Sequence, residues 1–110
     1  MLNEILTASG IPYRQGRYLN PPAETYAVYF DDLTADGADP VPAAGSPRII
    51  RHDAMVELYE PRPDPDAEAS IEAELNARGI PWTKEDRYWL QNVQRHQVVY
   101  EFHYFEKVRT

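Results

Sequence analysis

Three histidines, His52, His96 and His103, are the first residues that could do acid–base or metal chemistry. His96 and His103 stand seven residues apart, an odd spacing, so within one strand they point to opposite faces. They cannot make a local ligand pair, and neither a His-Glu-x-x-His nor a His-x-His pattern occurs. All three are expected to be structural or surface residues. Ser9, Ser46 and Ser70 are the serines, and none lies in a Gly-x-Ser-x-Gly elbow, so no nucleophile is expected among them. Eighteen acids are present, and Glu57 and Glu101 are placed to face each other across paired strands. General acid–base work also needs a pocket and a shifted pKa, and in so acidic a chain such pairs arise by chance.

Asp32-Leu33-Thr34-Ala35-Asp36-Gly37 echoes the first half of a calcium loop, with oxygen ligands at positions one, three and five and Gly at six. Position twelve is Ala43 where a bidentate Glu is required, and the flanks read as strands. The expectation is an acidic turn that uses Asp and Gly for their backbone tolerance. The five glycines are scattered, which leaves no phosphate-cradling loop, and the absence of cysteine removes disulfides, thiolate metal sites and a thiol nucleophile together. No catalytic residue, cofactor or metal site is expected.

A net charge of −7 argues against nucleic acid, whose binding rests on clustered Lys and Arg, and against an anionic membrane surface. No apolar run approaches the ~20 residues of a transmembrane helix. The start, Met1-Leu2-Asn3-Glu4, lacks the basic and apolar stretches of a signal peptide, so a soluble cytosolic product is expected. At 110 residues the chain is the size of one domain, residues 1–110, and burying about 65% of its unfolded surface gives it one modest core.

Leu2, Ile5, Leu6 and Ser9 recur at helical spacing before Gly10 and Pro12, which predicts a helix over 2–9. Strands are predicted over 13–19, 25–31, 49–59, 87–93 and 96–107 from period-two alternation. Between them, 32–47 reads as a long acidic loop of Pro, Gly and Ala. Pro65, Asp66 and Glu68 open a second helix that Gly79 and Pro81 close. In the last strand Val98, Tyr100, Phe102 and Tyr104 should face the helices, leaving a mixed face that is either half solvated or covered by a partner.

Leu6-Thr7-Ala8-Ser9-Gly10-Ile11-Pro12-Tyr13 matches Leu75-Asn76-Ala77-Arg78-Gly79-Ile80-Pro81-Trp82 at five of eight positions, 69 residues apart. The match is either shared helix-stop chemistry or a duplicated unit. Both readings give the order α-β-β-β-α-β-β: an α+β fold with a mainly antiparallel sheet of about five strands and two helices on one face. Thirteen aromatics exceed what such a core needs, and Tyr29, Tyr59, Trp89 and Phe105 are expected on the less apolar strand faces as partner contacts.

The size, acidity and element order resemble the small tail-completion (tail-terminator) or head–tail joining proteins of long-tailed phages and prophages. The residues that carry the likeness are Gly10-Ile11-Pro12, the strand Thr25–Phe30, the strand ending His52–Tyr59 and the closing strand Val98–Lys107. The resemblance implies a structural part without catalytic residues, a homo-oligomer forming a hexameric ring that meets tail-tube and head-connector proteins. Its place would be the virion tail or neck, after synthesis in the bacterial host cytoplasm. Loops touch the tube or connector in such proteins, which makes Leu33, Asp36, Asp39 and Val41 contact candidates. An acidic surface suits a DNA conduit, because like charge keeps phosphates off the wall. A small acidic protein-binding or inhibitory module is the alternative.

Overall fold

The computed structural model describes residues 1–35 and 47–109. The elements run α1 (Leu2–Ser9), β1 (Tyr13–Gln15), β2 (Tyr26–Ala35), β3 (Pro47–Glu60), α2 (Pro65–Ala77), β4 (Trp82–Lys84), β5 (Tyr88–Leu90) and β6 (Arg95–Arg109). The fold is α+β, as the alternation and helix stops predict. One sheet has the order β1-β2-β3-β6-β4, with β5 also paired to β6. All pairings are antiparallel except β1 with β2.

Several boundaries differ from the sequence reading. The sheet has six strands rather than five, because the predicted 87–93 strand shrinks to Tyr88–Leu90 and Trp82–Lys84 forms a separate β4. The first strand stops at Gln15, since Gly16 takes φ 79 and turns the chain away. The region read as a loop from residue 32 is strand as far as Ala35, and β3 already begins at Pro47. Pairing with β3 carries β2 onward: Asp32 lies opposite Asp53, and Leu33 opposite His52.

Both helix ends follow from local chemistry. Gly10 adopts φ 76 and donates its N–H to Thr7 O at 3.1 Å, a left-handed stop that only glycine adopts without cost. The Asp64 carboxylate caps α2 by accepting from Ala67 N at 3.1 Å, with Pro65 in the first turn. The other Asp64 oxygen accepts from Thr25 Oγ1 at 2.6 Å, which fastens the start of β2 to the helix.

The two helices lie on one face of the sheet. Leu2, Ile5 and Leu6 of α1 join Ile71 and Leu75 of α2 over Val56, Leu58, Val98 and Tyr100. Each of these side chains is at most 3% exposed, and burying one contributes about 1.5–3 kcal/mol. Val98, Tyr100, Phe102 and Tyr104 do face the helices. The buried core ends at the Tyr104 row, whereas β2, β3 and β6 run on as a three-stranded arm. At ~3.3 Å per residue the 15-residue β6 alone accounts for nearly all of the 51 Å long dimension.

Candidate interaction surface

The sheet face away from the helices carries the rows Val28–Glu57–Val99, Phe30–Met55–Glu101 and Asp32–Asp53–His103. A groove of 770 Å³ opens there, with Asp32, Asp53, Glu57 and Glu101 around Phe30 and Met55. Thr83 and His103 also line it. Glu57 and Glu101 are not opposite each other: Glu57 faces Val99 and Glu101 faces Met55, a shift of two positions that keeps both on one face. Two of the four carboxylates are engaged locally, Glu57 by Tyr59 Oη at 2.9 Å and Asp53 by Arg51 Nε at 3.0 Å.

Of the expected partner contacts, Leu33 (63% exposed), Phe105 (58%) and Trp89 (43%) are open to solvent. Leu33 and Phe105 both lie on the arm, and Trp89 sits on β5 with its ring edge against His96 at 4.9 Å. Tyr59 lies on the far face but is half-buried, stacked on Tyr26 at 5.1 Å and accepting from Gln97 Nε2. Burial and the Glu57 carboxylate push its hydroxyl up to about 12. Tyr29 is a correction. It packs against the core with Tyr13, because its register partner Val56 belongs to the helix side. Asp36, Asp39 and Val41 lie outside the described residues, as does the second half of the acidic turn that resembles a calcium loop.

Two polar clusters escape the sequence reading. His52 is buried between Asp31 (Nδ1 to Oδ1, 3.0 Å) and Glu106 (Nε2 to Oε1, 3.0 Å), with its ring stacked on Tyr104 at 4.4 Å. Burial disfavours its charge, but Glu106 and Asp31 outweigh that and raise its pKa. The ring then donates from both nitrogens and ties β2, β3 and β6 together. Burial and the Asp31 charge push the Tyr104 hydroxyl up to about 12.

At the other end of β3, Glu60 is fully buried beside Glu68. Arg87 spans both carboxylates, and Lys84 bridges Glu68 and Glu72 at 2.8 Å each. Tyr100 Oη donates to Glu72 at 2.6 Å. Burial, and then the Glu68 carboxylate, raise Glu60. Glu68 is held low: burial opposes its charge, but Glu60, Lys84 and Arg87 outweigh it. The signal for both clusters lies in the strand phase. His52 and Glu60 extend by two residues, at either end, the alternation Ala54–Val56–Leu58 that faces the core.

Among the described residues no group of three His, Asp or Glu is arranged to hold a metal ion, and no helix is long and apolar enough to cross a membrane. No protein-family model matches the chain, and no curated protein is significantly similar to it.

Proposed function

We propose that the chain is a structural assembly protein of a phage or prophage tail, one that caps the tail tube or joins it to the head as a homo-oligomeric ring. The observation that supports this best is the arm of β2, β3 and β6. It runs past the helices and displays Leu33 and Phe105 to solvent on backbone fixed by long ladders. Exposed apolar side chains held on rigid sheet are what a subunit offers its neighbours. The resemblance in element order and strand sequence supplies the tail setting and the hexameric expectation. Molar mass by light scattering, negative-stain images and binding to purified tail tubes test it. Rings, or stoichiometric binding to tube ends, are expected. A chain that forms no rings and ignores tail tubes would overturn the proposal.

The acidic groove favours a second reading, a small module that takes up a basic partner segment. Asp32 and Glu101 are both exposed beside the apolar Phe30 and Met55. Capture of a host protein in place of virion proteins, lost on Glu101→Lys, would favour that reading.

A further inference from the structure

The sheet face away from the helices is closed along one part of its length and open along the next. Val28 and Val99 are each 5% exposed, whereas one row further on Phe30 is 38% exposed and Met55 is only partly buried. The 770 Å³ groove begins at that step, with Phe30 and Met55 as its apolar floor. Four carboxylates stand around this pair. Asp53 is engaged by Arg51 and Glu57 by the Tyr59 hydroxyl. Among the described residues no side chain engages the carboxylates of Asp32 and Glu101, and both residues are exposed. Asp32 also lies directly opposite Asp53 on the neighbouring strand, where like charges repel.

Charge decides what can cover this floor. A second copy laid face to face would set the four carboxylates against themselves, in a chain of net charge −7. A nucleic acid is repelled for the same reason. A segment with Lys or Arg on either side of an apolar residue meets both needs: its apolar side chain leaves water over Phe30 and Met55, and its cations offset the carboxylates. Sheet geometry sets the spacing. Asp32 and Glu101 are two strands apart, about 9.6 Å at ~4.8 Å per strand, and one row apart, about 6.7 Å at ~3.3 Å per residue. The diagonal between them is therefore about 12 Å and crosses β3 beside Met55. In an extended segment, residues i and i+4 lie on one side about 13 Å apart, with i+2 between them.

We infer that the groove binds an extended segment of a partner protein with the pattern basic-x-apolar-x-basic, its two cations on Asp32 and Glu101 and its apolar side chain over Phe30 and Met55. Asp53 and Glu57 keep their local partners and add to the field around the segment. The inference rests on the second reading above, the uptake of a basic segment, and gives that segment its pattern and its seat.

The probe is the end-blocked peptide Ser-Lys-Ser-Leu-Ser-Lys-Ser, titrated into the isotope-labelled full chain and followed by NMR. Amide shifts are expected in 30–32, 53–57 and 99–103, and none in α1 or α2. Replacing the leucine of the peptide by serine should weaken binding about tenfold, the loss of one buried aliphatic side chain. Replacing both lysines by glutamate should abolish it. Asp32→Asn/Glu101→Gln should weaken binding of the lysine peptide about tenfold without disturbing the fold, since both side chains are exposed. If the leucine and serine peptides bind alike, the apolar seat is wrong and this inference falls, while the basic-segment reading stands. If the glutamate peptide binds as well as the lysine peptide, or no peptide shifts the groove amides even at a concentration of about 1 mM, both fall.

Discussion

His52→Phe keeps a flat ring on Tyr104 and removes both nitrogens, which isolates what the histidine does electrically. In the wild type a protonated ring donates to Asp31 and Glu106, each at 3.0 Å. The Asp31 contact is the stronger one, because its side chain is 20% exposed, and a buried charged hydrogen bond is worth about 1.5–3 kcal/mol. Glu106 is 53% exposed, so its share is that of a surface pair, about 0.2–1 kcal/mol. The variant should therefore lose about 2–3 kcal/mol at pH 6, offset slightly by the added apolar area. With an unfolding entropy of about 2.1 cal/mol/K per residue, that lowers Tm by about 10 °C. The sign of the pH dependence follows from the raised pKa. The stabilisation is fully present below the unfolded value of about 6.5 and is lost as pH rises through the folded value. Urea unfolding at pH 6 and pH 9 is the assay. Wild type should lose stability over that span, and the difference between wild type and His52→Phe should shrink. A wild type equally stable at both pH values, or a difference that does not depend on pH, would refute the clamp.

Glu60→Gln removes a buried charge that the protein holds partly protonated, while its amide oxygen still accepts from Arg87. A raised carboxyl loses stability as pH climbs from about 4.3 through its folded pKa, so the variant should match wild type near pH 4 and exceed it by about 1–2 kcal/mol at pH 8, measured by urea unfolding. Asp64→Ala strips the α2 cap and leaves the Thr25 hydroxyl without its acceptor, and should cost about 1–2 kcal/mol in the same assay. Gly79→Ala meets no atom within 4 Å, so its cost of about 1–2 kcal/mol comes only from φ +69 and should appear as a lower Tm with unchanged far-UV circular dichroism.

The helix stops and the core phase of β3 and β6 were legible because each rests on a local rule. Gly then Pro ends both helices, and alternation singles out Val56 and Leu58 in β3, and Val98 and Tyr100 in β6. The side of Tyr29 was not legible, because β2 is buried on both faces: Ala27 on the helix side, Tyr26 and Val28 on the other. A strand without a polar phase gives alternation nothing to choose by. Tyr18 and Tyr26 meet at 5.2 Å across an irregular turn, and Arg95 reaches Ala23 O at 3.2 Å from 72 residues away, contacts that no periodic pattern announces. His52 and Glu60 were hidden for a different reason. A charged residue ending an apolar alternation reads as the point where solvent begins, and here the partners that make burial tolerable come from distant segments: Asp31 and Glu106 for one, Arg87 for the other.

The placement of the His52 clamp bears on how the arm keeps its register. A short stretch of sheet without helix cover is marginal on its own, since its strands have little apolar surface to bury. In the arm the covering is thin, with Leu33 and Phe105 largely exposed, so burial does little there to fix the register. A one-residue slip would move Asp32 and Phe105 to the opposite face. The clamp resists that slip, because only the observed register brings Asp31 of β2, His52 of β3 and Glu106 of β6 within hydrogen-bond reach of one another. Its single positive charge offsets one of the two carboxylate charges it touches, Asp31 and Glu106. Removing the clamp leaves Asp31 and Glu106 on the helix-side face of the arm as two carboxylates without their shared donor, so the fold loses stability where its apolar cover is thinnest. His52→Phe should speed amide hydrogen exchange in 31–33 and 104–106 at temperatures where the variant remains folded, with the helix-covered rows around Val56 and Val98 unchanged. Exchange at the wild-type rate in those segments would show that the strand ladders alone hold the arm and would refute the clamp's part in its register.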